Sequence, residues 1–183
     1  MNSLNEIISV RQANSRDLYM IGNIDMSNTT DYVWQMDFKE EDKNISIVFR
    51  RTRLPRSIDL DFTELIQNLD KQIHQFSVVL VAESLGRLCG FVAIDKDISQ
   101  ESGTITLFAV DKRMRRKGIA TSMLAAAKEW CIRLGLNRLI IVTQSRNYPS
   151  ISFCLSNGYS YCGYNDSYYS NQDIAVFFSM RLY

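Results

Sequence analysis

Two kinds of apolar pattern alternate along this chain. Short apolar runs rich in β-branched residues predict strands at residues 7–10, 45–54, 77–82, 89–94, 104–110, 138–143, 159–164 and 174–182. Apolar residues at helical spacing predict helices at 61–74 and 118–134, and a shorter helix follows Pro149 to residue 157. Ser15 is the predicted N-cap of a further helix near the start of the chain.

Turn residues separate these predicted elements. Residues 84–87, which contain Gly86, are predicted to form the turn of a hairpin. Gly135 and Gly158 are expected to end the two helices that precede them. Several strands in succession, followed by alternating strands and helices, indicate an α/β fold with a mixed sheet and helices on its faces. Residues 104–143 should form a right-handed parallel crossover, and residues 1–183 are predicted to be one domain.

Composition narrows the class of function. The chain has 183 residues, 46% hydrophobic and 22% charged, with a formal net charge of +1. A nucleic-acid partner is not expected, because proteins that bind the phosphate backbone usually carry a basic excess. No apolar run approaches the roughly 20 residues that span a bilayer, and the N-terminus does not resemble a signal peptide. We therefore predict a cytoplasmic protein without membrane contact.

The cysteines do not indicate a metal site. Cys89, Cys131, Cys154 and Cys162 show no C-x-x-C spacing, and His74 is the only histidine. We predict that no metal is bound and that the thiols are reduced.

A basic loop lies between the predicted strand 104–110 and the predicted helix 118–134. Helix N-termini bind anions, since their first amides lack intrahelical acceptors and carry the positive end of the dipole. Gly118 and Ala120 allow close backbone approach, and Arg115, Arg116 and Lys117 add positive charge. The alternative is a solvated basic turn capped by Gly118.

The spacing of Val110, Arg115, Gly118 and Ala120 resembles the signature of the GNAT superfamily of N-acetyltransferases. The resemblance implies a mixed central sheet flanked by helices, with acetyl-CoA as cosubstrate. It also implies coenzyme contacts along the strand end and the loop: Phe108, Ala109, Val110, Arg115, Arg116, Lys117, Gly118, Ile119, Ala120 and Thr121. Arg116 stands where many members of the superfamily have glycine.

A second motif extends the resemblance. Asn147, Ser150, Phe153 and the pair Gly158-Tyr159 look like the family's Asn–x–x–Ala–x–x–aromatic motif, which ends in Gly-Phe. This resemblance adds Asn147 and Ser150 to the predicted coenzyme contacts. The stretch 168–178 resembles the tails of streptothricin-acetyltransferase-like members.

The resemblance implies direct transfer of an acetyl group from a thioester to an amine. The backbone amide of Val110 is then the expected donor to the oxyanion. Relatives often carry a tyrosine, the expected general acid, where this chain has Cys154. Cys154 is a candidate for that role, and the alternative is a small buried hydrophobe. Tyr161 and Tyr164 are possible substitutes.

The general base is open at this point. Some relatives place a glutamate at the position of Thr106, which cannot accept the proton. Water and several carboxylates are the alternatives: Asp31, Asp37, Glu83, Asp166 and Asp173. His74 has a suitable natural pKa but is expected to be an exposed surface residue.

Asp31, Tyr32 and Trp34 are the candidate substrate contacts, because a carboxylate beside aromatic rings can hold a cation. The alternative makes residues 29–37 a helix-to-strand connection whose aromatics belong to the core. The extra segment 28–60 looks able to cover a groove across the sheet. The arginines of 50–56 could favour an acidic group, although arginines on an edge strand often face solvent.

Three hypotheses follow for function. The first is acetylation of a primary amine on a small molecule, by direct attack. The second keeps the chemistry but makes the acceptor a protein or peptide amine. The third is a CoA-binding module without turnover, suggested by Thr106 and Cys154 at positions that are often catalytic. A homodimer is possible in each case.

Overall fold

The computed structural model of the protein describes residues 8–60, 62, 69 and 73–183. The strands in this part of the chain are β1 Ile8–Gln12, β2 Asn28–Glu41, β3 Asn44–Leu60, β4 Val78–Ser84, β5 Arg87–Asp97, β6 Ser102–Val110, β7 Arg138–Gln144, β8 Ser160–Asn165 and β9 Ala175–Arg181. The α-helices are α1 Ser15–Ile21, α2 Ile119–Arg133 and α3 Tyr148–Ser156. Short 3-10 helices occur at Ile73–Gln75 and Lys112–Met114.

Seven strands form a mixed sheet in the order β1-β4-β5-β6-β7-β9-β8, while β2 and β3 form a separate two-stranded sheet. The pairs β1–β4, β4–β5 and β5–β6 are antiparallel. β6 and β7 are parallel and are connected through α2, as a parallel pair requires. The predicted α/β class with a mixed sheet and flanking helices is thus confirmed.

The chain divides into two compact units, which are described separately. Unit 1 contains Met1–Ser27, Asp61–Ile141 and Ser179–Tyr183, and unit 2 contains Asn28–Leu60 and Val142–Phe178. The two units do not test whether residues 1–183 form a single domain, so that assignment stays a prediction.

In unit 1, both faces of the central strands are buried. One face of β4 and β5 contributes Val79, Val81, Phe91 and Ala93 to an apolar cluster that also contains Ile21 of α1. The other face lies under α2, whose buried residues are Ile119, Met123, Leu124, Ala127 and Cys131. Strands covered on both faces read as continuous apolar runs, which explains why β4 and β5 were predictable.

Gly103 of β6 sets the distance between the sheet and α2. A Cβ atom at this position would lie 2.5 Å from the Sγ atom of Cys131. A side chain here would therefore push the helix away from the sheet. Leu134, which the helical pattern assigned to the apolar face of this helix, is 44% exposed, because the helix ends there and Gly135 follows at φ +72°.

The start of α1 differs from the prediction by one residue. Asn14, not Ser15, is the N-cap, and its side-chain oxygen accepts from the backbone N–H groups of Arg16 and Asp17. The Asp17 carboxylate accepts in return from the Asn14 N–H at 2.8 Å, which completes a capping box. Asn and Ser are similarly good N-caps, so composition alone did not distinguish adjacent candidates.

Two predicted elements fall partly outside the described residues. The predicted helix 61–74 lies outside them except for Phe62, Leu69 and the start of the 3-10 helix Ile73–Gln75. Leu69 and Ile73 are buried in the unit 1 cluster. The first predicted strand is present as β1, although Ile7 is not described.

In unit 2, β2 and β3 form a long antiparallel hairpin. Strand prediction covered only residues 45–54, and the suggested helix-to-strand connection at 29–37 is wrong because this stretch is part of β2. The register shifts between Thr30 and Tyr32, so that residues 54–57 of β3 lie opposite Asp31. Pro55 lies in this irregular stretch, where proline does not interrupt regular strand pairing.

Candidate active site

Unit 1 contains the end of β6 and the loop that follows it. The pairing of β6 with β5 shifts between Ala93 and Ile94, which leaves Thr106 as an extra residue in β6. The parallel register of β6 with β7 covers Ser102 to Ile105, so it ends where this bulge begins. A bulge bends its strand, and among the described pairs no β7 residue is matched with β6 beyond Ile105.

The Val110 N–H points away from β5, toward the side where the pairing with β7 has ended. The Asp111 N–H donates to the Cys89 carbonyl at 2.9 Å, which fixes the orientation of this residue toward β5. Orientation alternates along an antiparallel pair, so Ala109 also turns its amide toward β5 and Val110 turns its own away. The backbone amide predicted to stabilise an oxyanion is therefore aimed at the diverging edge.

The basic loop is anchored by hydrogen bonds within unit 1. The Asp111 side chain caps the 3-10 helix by accepting from the Arg113 N–H at 3.0 Å. The Lys112 N–H donates to the Asp25 carbonyl at 2.9 Å. Arg115 donates from Nε to the Val110 carbonyl at 3.2 Å and from Nη2 to the Met26 carbonyl at 3.1 Å. These contacts hold the loop against the strand end and the segment after α1.

The Arg115 side chain is thus turned into the protein, whereas the sequence suggested that it adds charge beside a phosphate. It is partly buried, and this burial lowers its pKa, while Asp25 and Asp111 oppose the shift. Arg116 and Lys117 are exposed and are the cationic side chains directly before the start of α2. The contact of the Arg115 backbone with the coenzyme stays a prediction.

Two residues of the loop have left-handed backbone conformations. Arg116 has φ +65° and Gly118 has φ +82°. Gly118 is the N-cap of α2 and provides no side-chain cap, so the first-turn amides of Ile119, Ala120 and Thr121 have neither an intrahelical acceptor nor a capping oxygen from Gly118. Left-handed residues at the start of a helix form the amide concavities in which phosphate groups bind.

The residues present fit a coenzyme diphosphate. A Cβ atom at Gly118 would meet nothing within 4 Å, so open space lies over the backbone at this point. Ala120 presents only a methyl group, and the exposed Arg116 and Lys117 supply positive charge. The loop thus combines free amide donors, open space over the backbone and positive charge. A solvated turn, the alternative stated above, would need none of these three features.

Unit 2 holds the residues of the second motif. Asn147 is the N-cap of α3, and its Oδ1 accepts from the Ser150 N–H at 3.2 Å. Pro149 lies in the first turn, as predicted, and Gly158 follows the helix at φ +80°. Asn147 and Ser150 therefore shape the helix start, and their contact with the coenzyme stays a prediction.

Cys154 is fully buried on α3. Its side chain has 0% exposure, and burial raises the pKa of its thiol to about 12. A thiol in such surroundings stays protonated at neutral pH and is shielded from substrate. This environment favours the alternative that Cys154 is a packing residue.

Most of the candidate bases are held by other groups. Glu83 pairs with Arg11, and Asp173, which is 6% exposed, pairs with Arg146. Asp37 accepts from Arg50 Nε at 3.1 Å. Asp166 and His74 are exposed, as was expected of His74. Asp31 is also exposed and accepts a hydrogen bond from the Ser57 hydroxyl.

The proposed substrate contacts on β2 have different surroundings. The Trp34 ring packs against Phe49, Tyr161 and Phe178 at centroid distances of 5.9, 6.1 and 5.5 Å. The backbone N–H of Trp34 also donates to the Ser145 carbonyl at 2.8 Å. Trp34 is therefore part of the unit 2 core, which agrees with the alternative stated for this aromatic residue.

Tyr32 already has a cation on its ring. The Cζ atom of Arg51 lies 5.2 Å from the Tyr32 ring centroid and 5.9 Å from that of Tyr148. Arg51 Nη1 donates to the Tyr148 hydroxyl at 3.2 Å, and the two tyrosine rings are 5.4 Å apart. The hydrogen bond from Arg51, with a second from Ser152, lowers the pKa of Tyr148.

Sequence reasoning missed three residues that shape these two regions: Asp25, Met26 and Tyr148. Asp25 and Met26 accept from the basic loop through their backbone carbonyls, which carry no sequence signal. Tyr148 and Arg51 lie 97 residues apart and are joined only by folding. Arg51 was visible in the sequence as one of several arginines, but nothing separated it from its neighbours.

No helix formed by the described residues is long and apolar enough to cross a membrane.

Comparison with solved structures gives the same fold over nearly the whole chain. The chain resembles a nourseothricin acetyltransferase with a TM-score of 0.83 and 22% identity, covering 96% of this chain and 99% of that one. It also resembles a protein from Bacillus anthracis str. Ames that is assigned as a streptothricin acetyltransferase and is bound to acetyl coenzyme A. The TM-score is 0.76 at 18% identity, and the match covers 96% of this chain and 99% of that one.

A third similar structure is the ribosomal-protein-S18-alanine N-acetyltransferase from Escherichia coli, with a TM-score of 0.64 and 12% identity, covering 96% of this chain and 94% of that one. No curated protein matches the sequence significantly. These identities are low, so the structural similarities concern the fold.

The sequence itself matches the family model of the GNAT acetyltransferases over residues 40–159, which is more than half of the chain. That range includes the bulged strand β6, the basic loop and the second motif. The chain therefore belongs to the GNAT acetyltransferase family and is an acetyl-CoA-dependent acyltransferase.

Proposed function

We propose that this acetyltransferase transfers the acetyl group of acetyl-CoA to a primary amine of a small molecule by direct attack. The observation that carries the proposal is the end of β6, where the Val110 amide points to a diverging edge beside a glycine-capped helix start. Similar structures include acetyltransferases named for nourseothricin and streptothricin, which supports a small-molecule acceptor.

The coenzyme would be held along this strand end and the following loop. Phe108 and Val110 turn their peptide groups toward the diverging edge, and the amides from Arg115 to Thr121 would hold the diphosphate. Arg116 and Lys117 would add charge-assisted contacts from the solvent side. Arg115 would act indirectly, by fixing the loop against Val110 and Met26.

When bound, acetyl-CoA supplies an acetyl thioester. The Val110 N–H would donate a hydrogen bond to the carbonyl oxygen that gains negative charge, and a fixed donor needs no reorganisation during the reaction. Cys154 would have no part in proton transfer, because its thiol is fully buried and has no access to the substrate. A departing CoA thiolate has a pKa near 8.5, so it can leave without a strong acid.

The acceptor would bind beside the hairpin of unit 2. Asp31 is an exposed carboxylate on the hairpin and, unlike Asp37, forms no described ion pair with an arginine. It is the candidate contact for a charged amine. Tyr32 would contribute through the cluster that it forms with Arg51 and Tyr148. Trp34 would support the hairpin from within the aromatic core.

A screen of amines for release of free CoA tests the proposal. Aminoglycosides, streptothricins, polyamines and amino acids would be incubated with the enzyme and acetyl-CoA, and each product would be identified by mass. We expect one small-molecule class to gain 42 Da per acetylated amine, the mass of an acetyl group that replaces hydrogen. A full panel without any acetylated product would contradict a small-molecule acceptor.

The second candidate is a protein or peptide acceptor. Its support is the similar fold of the ribosomal-protein-S18-alanine N-acetyltransferase. A library of peptides with free N-termini and lysines, assayed beside the amine panel, separates the two. Faster acetylation of a peptide than of any small amine would favour this second candidate.

A further inference from the structure

Arg51 of β3 is a cation with a fixed orientation on the surface of unit 2. Its guanidinium is stacked near two ring faces, with Cζ 5.2 Å from the Tyr32 centroid and 5.9 Å from the Tyr148 centroid. A hydrogen bond of 3.2 Å from Nη1 to the Tyr148 hydroxyl fixes the group further. Most exposed arginines lose conformational entropy when they bind a ligand, and a stacked one has already lost much of it.

The charge of Arg51 has no carboxylate partner among the described residues. The neighbouring Arg50 pairs with Asp37, and the other arginine ion pairs involve Arg11, Arg113, Arg133 and Arg146. The groups that act on Arg51 are Tyr148 and Tyr32, and they raise its pKa. Arg51 is exposed, so its charge is available to a ligand.

The remaining donors of Arg51 match an anionic oxygen group. A guanidinium has five N–H donors in a planar fork. Among the described residues, the Tyr148 hydroxyl accepts from Nη1 and leaves the donors of the other two nitrogens for a ligand. Carboxylates and phosphates accept such a fork in bidentate fashion. A cationic ligand at the same tyrosines would instead meet the charge of Arg51 at close range. The local charge therefore favours an anion over the cation that Tyr32 suggested in the sequence.

We propose that Arg51, held between Tyr32 and Tyr148, is a binding site for an anionic oxygen group, a carboxylate or a phosphate, of one of the two substrates. The site lies wholly within unit 2. Only the identity of the molecule that carries the anion rests on the proposed function. That molecule is either the amine acceptor, through a carboxylate, or the coenzyme, through a phosphate. The two sources share the chemistry and are separated by experiment.

The first experiment detects anion binding without turnover. The side-chain Nε–H signal of Arg51 is followed by NMR during titration of the full chain with acetate and, separately, inorganic phosphate, with chloride replacing each at constant ionic strength. The signal is assigned by its loss in Arg51→Lys. We expect a saturable shift with at least one of the two anions. An unsaturated drift equal to that seen with chloride would overturn the proposal.

Arg53 is the matched control for this titration. It lies two positions further along β3 and is exposed, and among the described residues no ring or carboxylate contacts its guanidinium. We expect its Nε–H signal to drift without saturation. An equal saturable response at Arg53 would show general attraction of anions to the strand and would overturn a site built by the two tyrosines.

The second experiment identifies the source. For the acceptor, lysine is compared with cadaverine and arginine with agmatine, pairs that differ by a carboxylate, in kcat/KM and in competition with the best acceptor from the amine screen. For the coenzyme, binding of CoA is compared with binding of 3′-dephospho-CoA by calorimetry, which requires no turnover. Each comparison is made with the wild-type chain, Arg51→Lys and Arg51→Gln.

We expect the wild-type chain to prefer the anionic member of one pair by tenfold or more, and Arg51→Gln to remove that preference. Arg51→Lys should retain part of it, because charge remains while the planar fork is lost. If every preference is unchanged in both variants, the titrated anion is an adventitious ion only and the proposal is wrong. If no amine is acetylated while the coenzyme preference depends on Arg51, the proposed function fails and this inference stands.

Discussion

The guanidinium Nε of Arg115 donates to the carbonyl oxygen of Val110 at 3.2 Å, which ties the basic loop back to the end of β6. The same side chain reaches the Met26 carbonyl at 3.1 Å. Arg115 thus connects the strand that carries the proposed oxyanion donor, the loop that would hold the coenzyme and the segment after α1. Its role is to position these backbone groups.

Arg115→Ala should therefore weaken both stability and coenzyme binding. We expect a loss of about 1–3 kcal/mol in the free energy of unfolding, because two carbonyl acceptors lose a charged donor. The affinity for acetyl-CoA should fall tenfold or more in calorimetry. Arg115→Gln, which keeps a side-chain N–H donor without the charge, should lose less. Arg113→Ala removes an exposed loop cation and is the control, with expected changes below threefold.

Gly118→Ala tests the glycine cap of α2. An alanine at φ +82° costs about 1–2 kcal/mol, although its Cβ would meet open space. Acetyl-CoA should raise the melting temperature of the wild-type chain by binding linkage, and a larger residue such as Gly118→Val should abolish that rise.

Two other glycines separate backbone strain from loss of binding. Gly86→Ala places an alanine at φ +71° in the β4–β5 turn and should cost similar stability while keeping the acetyl-CoA shift. Gly22→Ala, at φ −61° with nothing within 4 Å, should leave both quantities nearly unchanged. A normal shift in Gly118→Val would contradict the proposed coenzyme loop.

Arg116→Gly should stabilise the protein. Arg116 has φ +65°, a conformation that glycine adopts without a Cβ penalty. The gain is reduced by the greater freedom of glycine in the unfolded chain, so we expect up to about 1 kcal/mol, or roughly 2–4 °C in melting temperature. Leu85→Gly, at φ +51° in the β4–β5 turn, is the matched control and should behave alike. A clear loss of stability in Arg116→Gly would show that the arginine side chain makes a stabilising contact.

The affinity of Arg116→Gly for acetyl-CoA should fall despite this gain. The substitution removes one of the two exposed cations directly before Gly118 and leaves Lys117 in place. Because the proposed contact is with a phosphate, the difference from the wild-type chain should shrink as salt is raised. An affinity equal to that of the wild-type chain at low salt would exclude a role for the Arg116 charge.

Buried thiols should make the protein less stable at alkaline pH. Burial raises the pKa of Cys131 from 9.0 to about 11 and that of Cys154 from 9.0 to about 12. Above pH 9 the unfolded chain loses these protons while the folded chain keeps them, so the unfolded state binds fewer protons and stability falls. The stabilisation is complete below pH 9 and is lost as the pH rises toward 11–12.

Urea unfolding at pH 7.5, 9 and 10 measures this loss. The Cys131 contribution amounts to at most about 3 kcal/mol once the pH passes its folded pKa. Cys131→Ala and Cys154→Ala should be less stable at pH 7.5 because each leaves a cavity, but their stability should fall less between pH 9 and 10. A slope identical to that of the wild-type chain would contradict the raised pKa values. Cys154→Ala should also keep kcat within about tenfold, whereas a loss of 100-fold or more would mark Cys154 as the general acid.

The sequence determined the strands of unit 1 and the place of the basic loop between β6 and α2. β4 and β5 are buried on both faces, so they appear as unbroken apolar runs, and α2 shows its buried stripe at helical spacing. Gly118 and Gly135, which bound that helix, have the left-handed conformations that glycine favours. These signals are local, because each depends on residues within a few positions of one another.

Only the tertiary structure decided what surrounds each candidate residue. The full length of β2 was not predicted, since its alternating charged and aromatic residues gain strand structure by pairing with β3. Arg115 was expected to face a phosphate and instead anchors the loop, because the Met26 carbonyl is brought beside it from 89 positions away. Arg51 and Tyr148 meet in the same way. Long-range hydrogen bonds and burial assign these roles, and neither leaves a periodic pattern in the sequence.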